Sequence, residues 1–235
     1  MLDFNCEGYH DINDFVKLVA ILRGENGCPW DMVQTHESIR QNCIEEAYEV
    51  CEAIDEKNPQ HLKEELGDLL MQVIFHAGIE EEAGNFNFSD VCDGACKKLI
   101  YRHPHVFGDR ALNKGAEAAE AWERAKRLEH GHKSTADAID GVAKTLPGLW
   151  RAQKILRKAS GNPGFDPGEG YDLQKSAQEL LASAGKDKAR LEDDFGRLMF
   201  AALRQAETLG IDGERALEKY CNRFAAEFRR AEEDN

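Results

Sequence analysis

Apolar side chains recur every three or four residues along almost the whole chain, the spacing that lays them on one side of an α-helix. Alternating β-branched runs, the mark of half-buried strands, are nearly absent. The pattern predicts an all-α fold with helices near 11–23, 35–56, 59–83, 89–102, 116–130, 147–158, 171–184, 187–209 and 213–233. Asn58 followed by Pro59 reads as a cap with proline at the first helical position, and Ser89 reads as the cap of the helix after "NFNF". Pro104, Pro147, Pro163 and Pro167, with the glycines of "GNPGFDPGEG", mark the breaks.

Wound at about 100° per residue, residues 44–56 put Ile44, Ala47, Tyr48, Cys51 and Ile54 on one side and Glu45, Glu46, Glu49, Glu52 and Glu56 on the other. Alone, this is an ordinary amphipathic helix with a solvated acidic face. The following helix changes the reading. Glu65, Asp68, Gln72 and His76 form a narrow polar stripe, with Leu62, Leu66, Leu69 and Val73 on one flank and Leu70, Met71 and Ile74 spread round the rest. A stripe hemmed in this way faces the inside of a bundle. Carboxylates taken out of water must protonate, find basic partners or hold a metal, and no lysine or arginine interleaves with these. Glu46 with Glu49, and Glu65 with Asp68, are spaced three apart, so each pair shares a helix face. Oxygen-only ligation favours magnesium, with manganese as the substitute, over zinc or copper. Magnesium commonly shares its shell with a substrate phosphate, so the pattern points to metal-dependent phosphate chemistry. A di-iron bundle would need Glu-x-x-His on two of the acidic helices. That spacing occurs only at Glu7/His10 and Glu129/His132, outside them.

Composition narrows the partners. The 235 residues, 42% of them hydrophobic, are enough for a substantial core, while a formal net charge of −14 argues against a nucleic-acid partner. No apolar run approaches membrane-spanning length and the first residues carry no secretory pattern, so a cytoplasmic protein is expected. Seven cysteines at irregular spacing, without C-x-x-C, read as reduced thiols. Cys92 and Cys96, four apart, read as packing residues of a helix face and not as metal ligands.

The chain also aligns with itself. "EELGDLLMQVIFHAGIEEEAG" from Glu64 meets "DDFGRLMFAALRQAETLG" from Asp193, with Gly67 opposite Gly196 and Leu69 opposite Leu198. Upstream, "CPWD" at 28–31 meets "PGFD" at 163–166, and "EEAYE" at 45–49 meets "KSAQE" at 175–179. Two copies of one helical unit are expected, each too small to be comfortable alone.

The arrangement E-E-x-x-E, a spacer, then E-x-x-D, present as Glu45, Glu46, Glu49, Glu65 and Asp68, resembles the signature of the MazG-type nucleoside triphosphate pyrophosphohydrolases. "ENGCPWDMVQTH" at 25–36 and "RHPHVFG" at 102–108 look like that family's flanking motifs, and its longer members share the tandem duplication. The resemblance implies an all-α enzyme that cleaves nucleoside triphosphates between the α and β phosphates. It implies that Glu46, Glu49, Glu65 and Asp68 hold magnesium (or manganese), that Glu45 positions or deprotonates the attacking water, and that Lys98 and Arg102 bind phosphate. Trp30 has two readings, a contact to the base or an aromatic anchor for the "CPWD" turn. His103 and His105, flanking Pro104, read as closing a helix end. A homodimer is expected, as in related proteins.

The second copy departs from the signature. Lys175 and Ser176 stand where the first has Glu45 and Glu46, and Arg197 replaces the equivalent of Asp68; Glu179 and Asp194 persist. Glu227 falls near the equivalent of Arg102, and Arg223 near that of Lys98. The expectation is an N-terminal MazG-like unit at 1–130 that carries activity and a C-terminal unit at 131–235 that serves packing and dimerisation. The competing reading is a non-catalytic helical regulator that binds nucleotides or a protein partner.

Overall fold

A computed structural model describes residues 4–108, 115–129, 131, 134–160, 162, 171–183, 185 and 187–233. His132, Pro163, Pro167, the "PGFD" stretch and the helix ends expected at 130 and 184 lie outside the described residues. The described residues are all-α: α1 (Ile12–Arg23), α2 (Pro29–Met32), α3 (His36–Glu56), α4 (Pro59–Glu82), α5 (Phe88–Arg102), α6 (Pro104–Phe107), α7 (Gly115–Glu129), α8 (Thr135–Asp140), α9 (Gly148–Ser160), α10 (Leu173–Ala182), α11 (Lys188–Thr208) and α12 (Gly213–Glu233). The long helices fall within a few residues of their expected bounds. The helices α2, α6 and α8 were not expected, because four to six residues are too short to display a period. No helix among the described residues is long and apolar enough to cross a membrane.

The chain divides into two compact units, Met1–Ala118 and Ala119–Asn235. In the first, α3 packs along α4, with α1 and α5 also against α4. Its core is Val19, Ile39, Ile74 and Phe75, surrounded by Phe15, Val16, Leu70, Ile79 and Phe88. In the second, α10 packs on α11 and α9 on α11, with Leu156, Ala201 and Leu203 buried.

Local chemistry sets the ends of α3 and α4. Thr35 caps α3, and Ser38 returns the bond by accepting from the Thr35 N–H at 2.9 Å. Asn58 caps α4, its Oδ1 accepting from the N–H groups of Gln60 (3.1 Å) and His61 (3.3 Å), with Pro59 at the first helical position as expected. Between them Lys57 takes the left-handed conformation, φ 56°. A non-glycine residue accepts this at a cost of about 1 kcal/mol, and the result is a hard reversal of the chain. For α5 the cap is Asn87 and not Ser89: the Asn87 side chain accepts from Asp90 N–H at 3.1 Å and the Asp90 carboxylate accepts from Asn87 N–H at 3.0 Å. A reciprocal pair satisfies two orphan donors, which a serine two residues later does not match.

The segment between α1 and α3 is held by Arg23, which is 8% exposed. Its Nε and Nη2 donate to the two Glu82 carboxylate oxygens at 2.7 and 2.8 Å, and its Nη1 donates to the carbonyls of Asp31 (2.8 Å) and Gln34 (3.3 Å). The guanidinium lies 5.0 Å from the Phe75 ring centroid. Gly27 is required here, since a Cβ would collide with the carbonyls of Ile21 and Leu22.

Arg23→Ala is expected to destabilise the protein by about 2–3 kcal/mol, because two carbonyls and a carboxylate lose a shared partner. Arg23→Lys is expected to recover less than half of this, since an ammonium cannot hold the carboxylate through two parallel bonds. Urea denaturation followed by far-UV circular dichroism measures both.

Candidate active site

Because α3 and α4 reverse at Lys57, residues equally far from it in sequence stand level across the pair. Glu49 and Glu65 are each eight residues away, and Glu46 and Asp68 each eleven. The four acids therefore form two rungs of a short ladder. One carboxylate oxygen from each of Glu46, Glu49 and Glu65 lies within 4.8 Å of the others, and Glu65 is buried, Glu46 half-buried and Glu49 exposed. Asp68 stands outside this tight set but close enough to act on it. Burial raises the Glu46 pKa above the usual carboxylate range, with the charge of Asp68 next in importance and that of Glu49 after it. Burial likewise raises that of Glu65, followed by the charge of Glu49. The donor set is oxygen only, mutually repulsive and partly dehydrated, and it fits a hard divalent cation.

The orientation of α3 departs from the simple amphipathic reading. Ile39, Cys43, Glu46, Val50 and Ala53 make up the inward face, with Ile39 and Ala53 fully buried. Ile44, Tyr48 and Ile54, expected on the core side, are 41%, 50% and 54% exposed. On α4, Glu65 and Gln72 of the polar stripe are buried as expected, while Leu66 and Val73 of its flank face outward. The helix turns Glu46 inward between Ile39, Cys43, Val50 and Ala53, while Glu45, Glu49, Glu52 and Glu56 stay exposed and Ile44, Tyr48 and Ile54 are left outside.

Of the remaining candidates, Glu45 is exposed and is not part of the converging set. Lys98 is exposed on α5 and forms no ion pair with the acids among the described residues, whereas Arg102, one turn on, is 8% exposed. Trp30 sits on α2, 60% exposed, so the core-anchor reading of this residue does not hold. Its carbonyl accepts from Gln34 Nε2 at 2.8 Å. His103 closes α5 as expected, its Nδ1–H donating to the Leu99 carbonyl at 2.7 Å. All seven cysteines are free, and Cys92 and Cys96 are exposed instead of packed.

Two histidine arrangements were not foreseen. His61 Nδ1 lies 2.8 Å from Glu56 Oε2, and its Nε2 lies 3.1 Å from Glu65 Oε1. The bond to Glu56 raises the His61 pKa. The signal was legible as an i, i+4 spacing to Glu65, although the partner on α3 was not. At the other end of the stripe, His36 and His76 stack with their Nδ1 atoms 2.7 Å apart, and His36 Nε2 lies 2.7 Å from Glu80 Oε1. Asn85 Nδ2 donates to the second Glu80 oxygen at 2.6 Å.

The second unit carries acids in another electrical state. Arg197 bridges Glu179 at 3.2 Å and Asp193 at 2.9 Å. Asp194, 1% exposed, accepts from Arg190 Nε at 2.9 Å and from the Ser183 hydroxyl. The serine bond, ahead of the arginine charge, holds the Asp194 pKa below the usual range. Glu46 and Glu65 in the first unit are pushed up, and this one is drawn down.

A profile of the MazG nucleotide pyrophosphohydrolase domain matches residues 34–107. The nucleoside triphosphate pyrophosphohydrolase of Escherichia coli (strain K12) is 39% identical over 232 residues, covering 94% of this chain and 88% of that protein. The nucleoside triphosphate pyrophosphohydrolase/pyrophosphatase MazG of Thermotoga maritima is 40% identical over 222 residues, covering 94% and 85%. The uncharacterized protein YabN of Bacillus subtilis (strain 168) is 38% identical over 230 residues, 96% of this chain but 47% of that protein.

A carboxylate whose pKa is raised by folding binds more protons in the folded than in the unfolded state from its ordinary pKa, near 4.5, up to the raised value. Stability from these groups therefore falls as pH climbs through that window. Glu46→Gln and Glu65→Gln are each expected to raise the thermal midpoint of the metal-free protein at pH 7, with the gain vanishing below about pH 4.5. Scanning calorimetry in chelator at several pH values measures this.

Proposed function

The chain belongs to the MazG nucleotide pyrophosphohydrolase family, and on that premise we propose that its first unit hydrolyses nucleoside triphosphates between the α and β phosphates. It is an enzyme of the nucleoside triphosphate pyrophosphohydrolase class. One water adds, the phosphoanhydride between the α and β phosphorus atoms breaks, and the products are the nucleoside monophosphate and pyrophosphate. The observation that carries the reading is the convergence of Glu46, Glu49 and Glu65, with burial, followed by neighbouring acid charge, raising the pKa of Glu46 and Glu65.

In this reading Glu46, Glu49, Glu65 and Asp68 hold magnesium, with manganese able to substitute. When bound, the ion offsets triphosphate charge and makes a water acidic enough to attack phosphorus. Glu45, exposed beside Glu46, positions that water and takes its proton. Lys98 and Arg102 supply the positive charge that a triphosphate needs on approach to a protein of net charge −14. The exposed ring of Trp30 is available to a base. The second unit, with Arg197 and Arg190 already on its acids, has no charge left for a divalent ion and serves as a packing and dimerisation scaffold. We place the protein in the cytoplasm, a reducing compartment that suits seven free thiols.

The homodimer is supported by the outward stripe of Ile44, Tyr48 and Ile54 on α3, with Leu66 and Val73 on α4. Exposed apolar side chains in such number on one helix pair are what a second copy covers.

With magnesium and a panel of ribo- and deoxyribonucleoside triphosphates, the expected product is pyrophosphate; orthophosphate alone would contradict the reaction assigned. Glu46→Gln and Asp68→Asn in the full chain should each lower kcat by about 100-fold or more, while Glu179→Gln should change it by less than about 2-fold. The converse pattern would move the activity to the second unit, and no turnover on any triphosphate would favour a nucleotide-binding regulator. Separately, Tyr48→Asp should convert a dimer to a monomer in sedimentation velocity at micromolar concentration, and an unchanged sedimentation coefficient would remove α3 from the interface.

A further inference from the structure

His61 joins the last turn of α3 to the acid cluster. It stands in the first turn of α4, where its own N–H is taken by the Asn58 cap at 3.3 Å. From there its ring reaches back to Glu56, the final residue of α3, at 2.8 Å, and forward one turn to Glu65 at 3.1 Å. Its two ring nitrogens thus lie against two carboxylates from two helices, the hydrogen bond to Glu56 orienting the ring and the Glu65 contact an ion pair. Glu65 is the most buried of the converging acids, at 8% exposure, and its three χ angles must be held in order for its carboxylate to face a ligand. A carboxylate with one oxygen engaged has its rotamer set and its other oxygen left for a ligand.

The second unit gives the comparison. In the alignment that sets Gly67 opposite Gly196, His61 falls opposite Arg190 and Glu65 opposite Asp194. Arg190 contacts Asp194 across the same i, i+4 step, Nε to Oδ2 at 2.9 Å. That same Oδ2 also receives the Ser183 hydroxyl, while Asp194 Oδ1 is buried with no hydrogen-bond partner. So in both units a basic residue four positions upstream lies against one oxygen of the deepest acid, as a hydrogen bond in the second unit and as an ion pair in the first. The donors differ in kind: a permanent guanidinium in the second unit, and in the first an imidazole whose charge is already shared with Glu56.

We propose that His61 is a positioning residue for the divalent cation site: clamped by Glu56, it holds one oxygen of Glu65 so that the other is presented to the cation with Glu46 and Glu49. The inference rests on the metal-binding reading above and extends it to a residue outside the acidic signature. A ring shared between two carboxylates suits this task because its single positive charge is divided between Glu56 and Glu65 and leaves the pair negative, whereas the guanidinium of Arg190 pairs with Asp194. The Glu56–His61–Glu65 series is therefore the first unit's way of ordering a carboxylate that must stay available.

The test uses the full chain without nucleotide and titrates Mn2+ by calorimetry and by electron paramagnetic resonance. His61→Leu is expected to weaken Mn2+ binding by about 10- to 100-fold, the range typical of lost outer-shell partners. His61→Gln keeps an N–H donor near the position of Nε2 and should recover most of that loss. His61→Arg, which copies the second unit, should bind Mn2+ more weakly than His61→Leu. In turnover, the magnesium concentration giving half-maximal rate should rise by the same factor in His61→Leu, with kcat at saturating magnesium changed by less than about 3-fold. Circular dichroism and the thermal midpoint confirm that each variant is folded. If His61→Leu binds Mn2+ like the unsubstituted protein while Glu65→Gln does not, His61 is an ordinary ion pair and the proposal is wrong, with the metal reading intact. If Glu65→Gln also binds Mn2+ unchanged, the metal reading fails and takes this inference with it.

Discussion

The organising constraint of the first unit is repulsion between carboxylates that the chain itself forces together. Two residues, Lys57 and Asn58, connect α3 to α4, and the left-handed backbone of Lys57 permits only a close antiparallel return. Once that turn is made, Glu49 meets Glu65 and Glu46 meets Asp68 whatever the rest of the sequence does. The far end of the pair is closed as well, by His36 against His76 and Glu80. Two nitrogens 2.7 Å apart must share one proton, so at most one of those rings is charged while the tie persists. The burial of His76, followed by the charge of nearby His36, lowers its pKa. With both ends fixed, the acids cannot relieve their repulsion by splaying the helices. They can only take up protons or bind positive charge.

The second unit answers a similar demand by internal means. Asp194 is more deeply buried than any acid of the first unit's cluster, yet it ionises more easily than a free aspartate, because a serine and an arginine donate to it. Arg197 forms ion pairs with both Glu179 and Asp193. Charge that is neutralised by covalently tethered guanidinium groups needs no dissolved ion, and it cannot exchange one. In the first unit the cluster acid Glu65 meets the imidazole of His61 instead of a guanidinium. That difference in net local charge separates a rigid salt-bridged interior from a site with room for chemistry, and it follows from a handful of substitutions, Arg197 for the position of Asp68 and Ser176 for that of Glu46 foremost among them.

Much of this was legible in the sequence because helix period and hairpin register are both one-dimensional. The bounds of α3 and α4, the Asn58 cap, the polar stripe of α4 and the pairing of Arg197 with Glu179 could all be read from spacing. What spacing cannot give is the rotation of a helix about its own axis when both sides have a claim to burial. On α3 the acidic and apolar stripes compete for the inside, and the register of the turn decides, which is why Ile44, Tyr48 and Ile54 lie outward against the simple rule. Asp68 shows the same limit at smaller scale: it shares the rung with Glu46 but not the tight oxygen triangle. His61 was hidden for another reason, since half its environment comes from Glu56 across the turn. The Ser89 cap was misplaced because Asn87 and Asp90 offered a reciprocal pair two residues earlier.

The exposed stripe and the buried acids are two sides of one energetic problem. Turning Glu46 inward and Tyr48 outward spends burial on the wrong groups, and the compact core of Val19, Ile39, Ile74 and Phe75 has little surplus with which to offset it. Each apolar side chain covered by a partner returns about 25 cal/mol for every Å² removed from water, and Ile44, Tyr48, Ile54, Leu66 and Val73 lie on the two helices that carry the acids. Covering them would therefore stabilise the helix pair that the carboxylates strain, and would do so without touching the carboxylates. Under the proposed function, association and ion binding would act on the same pair of helices. Each favours the closed arrangement of α3 and α4 that the other requires, so the two are expected to be thermodynamically linked.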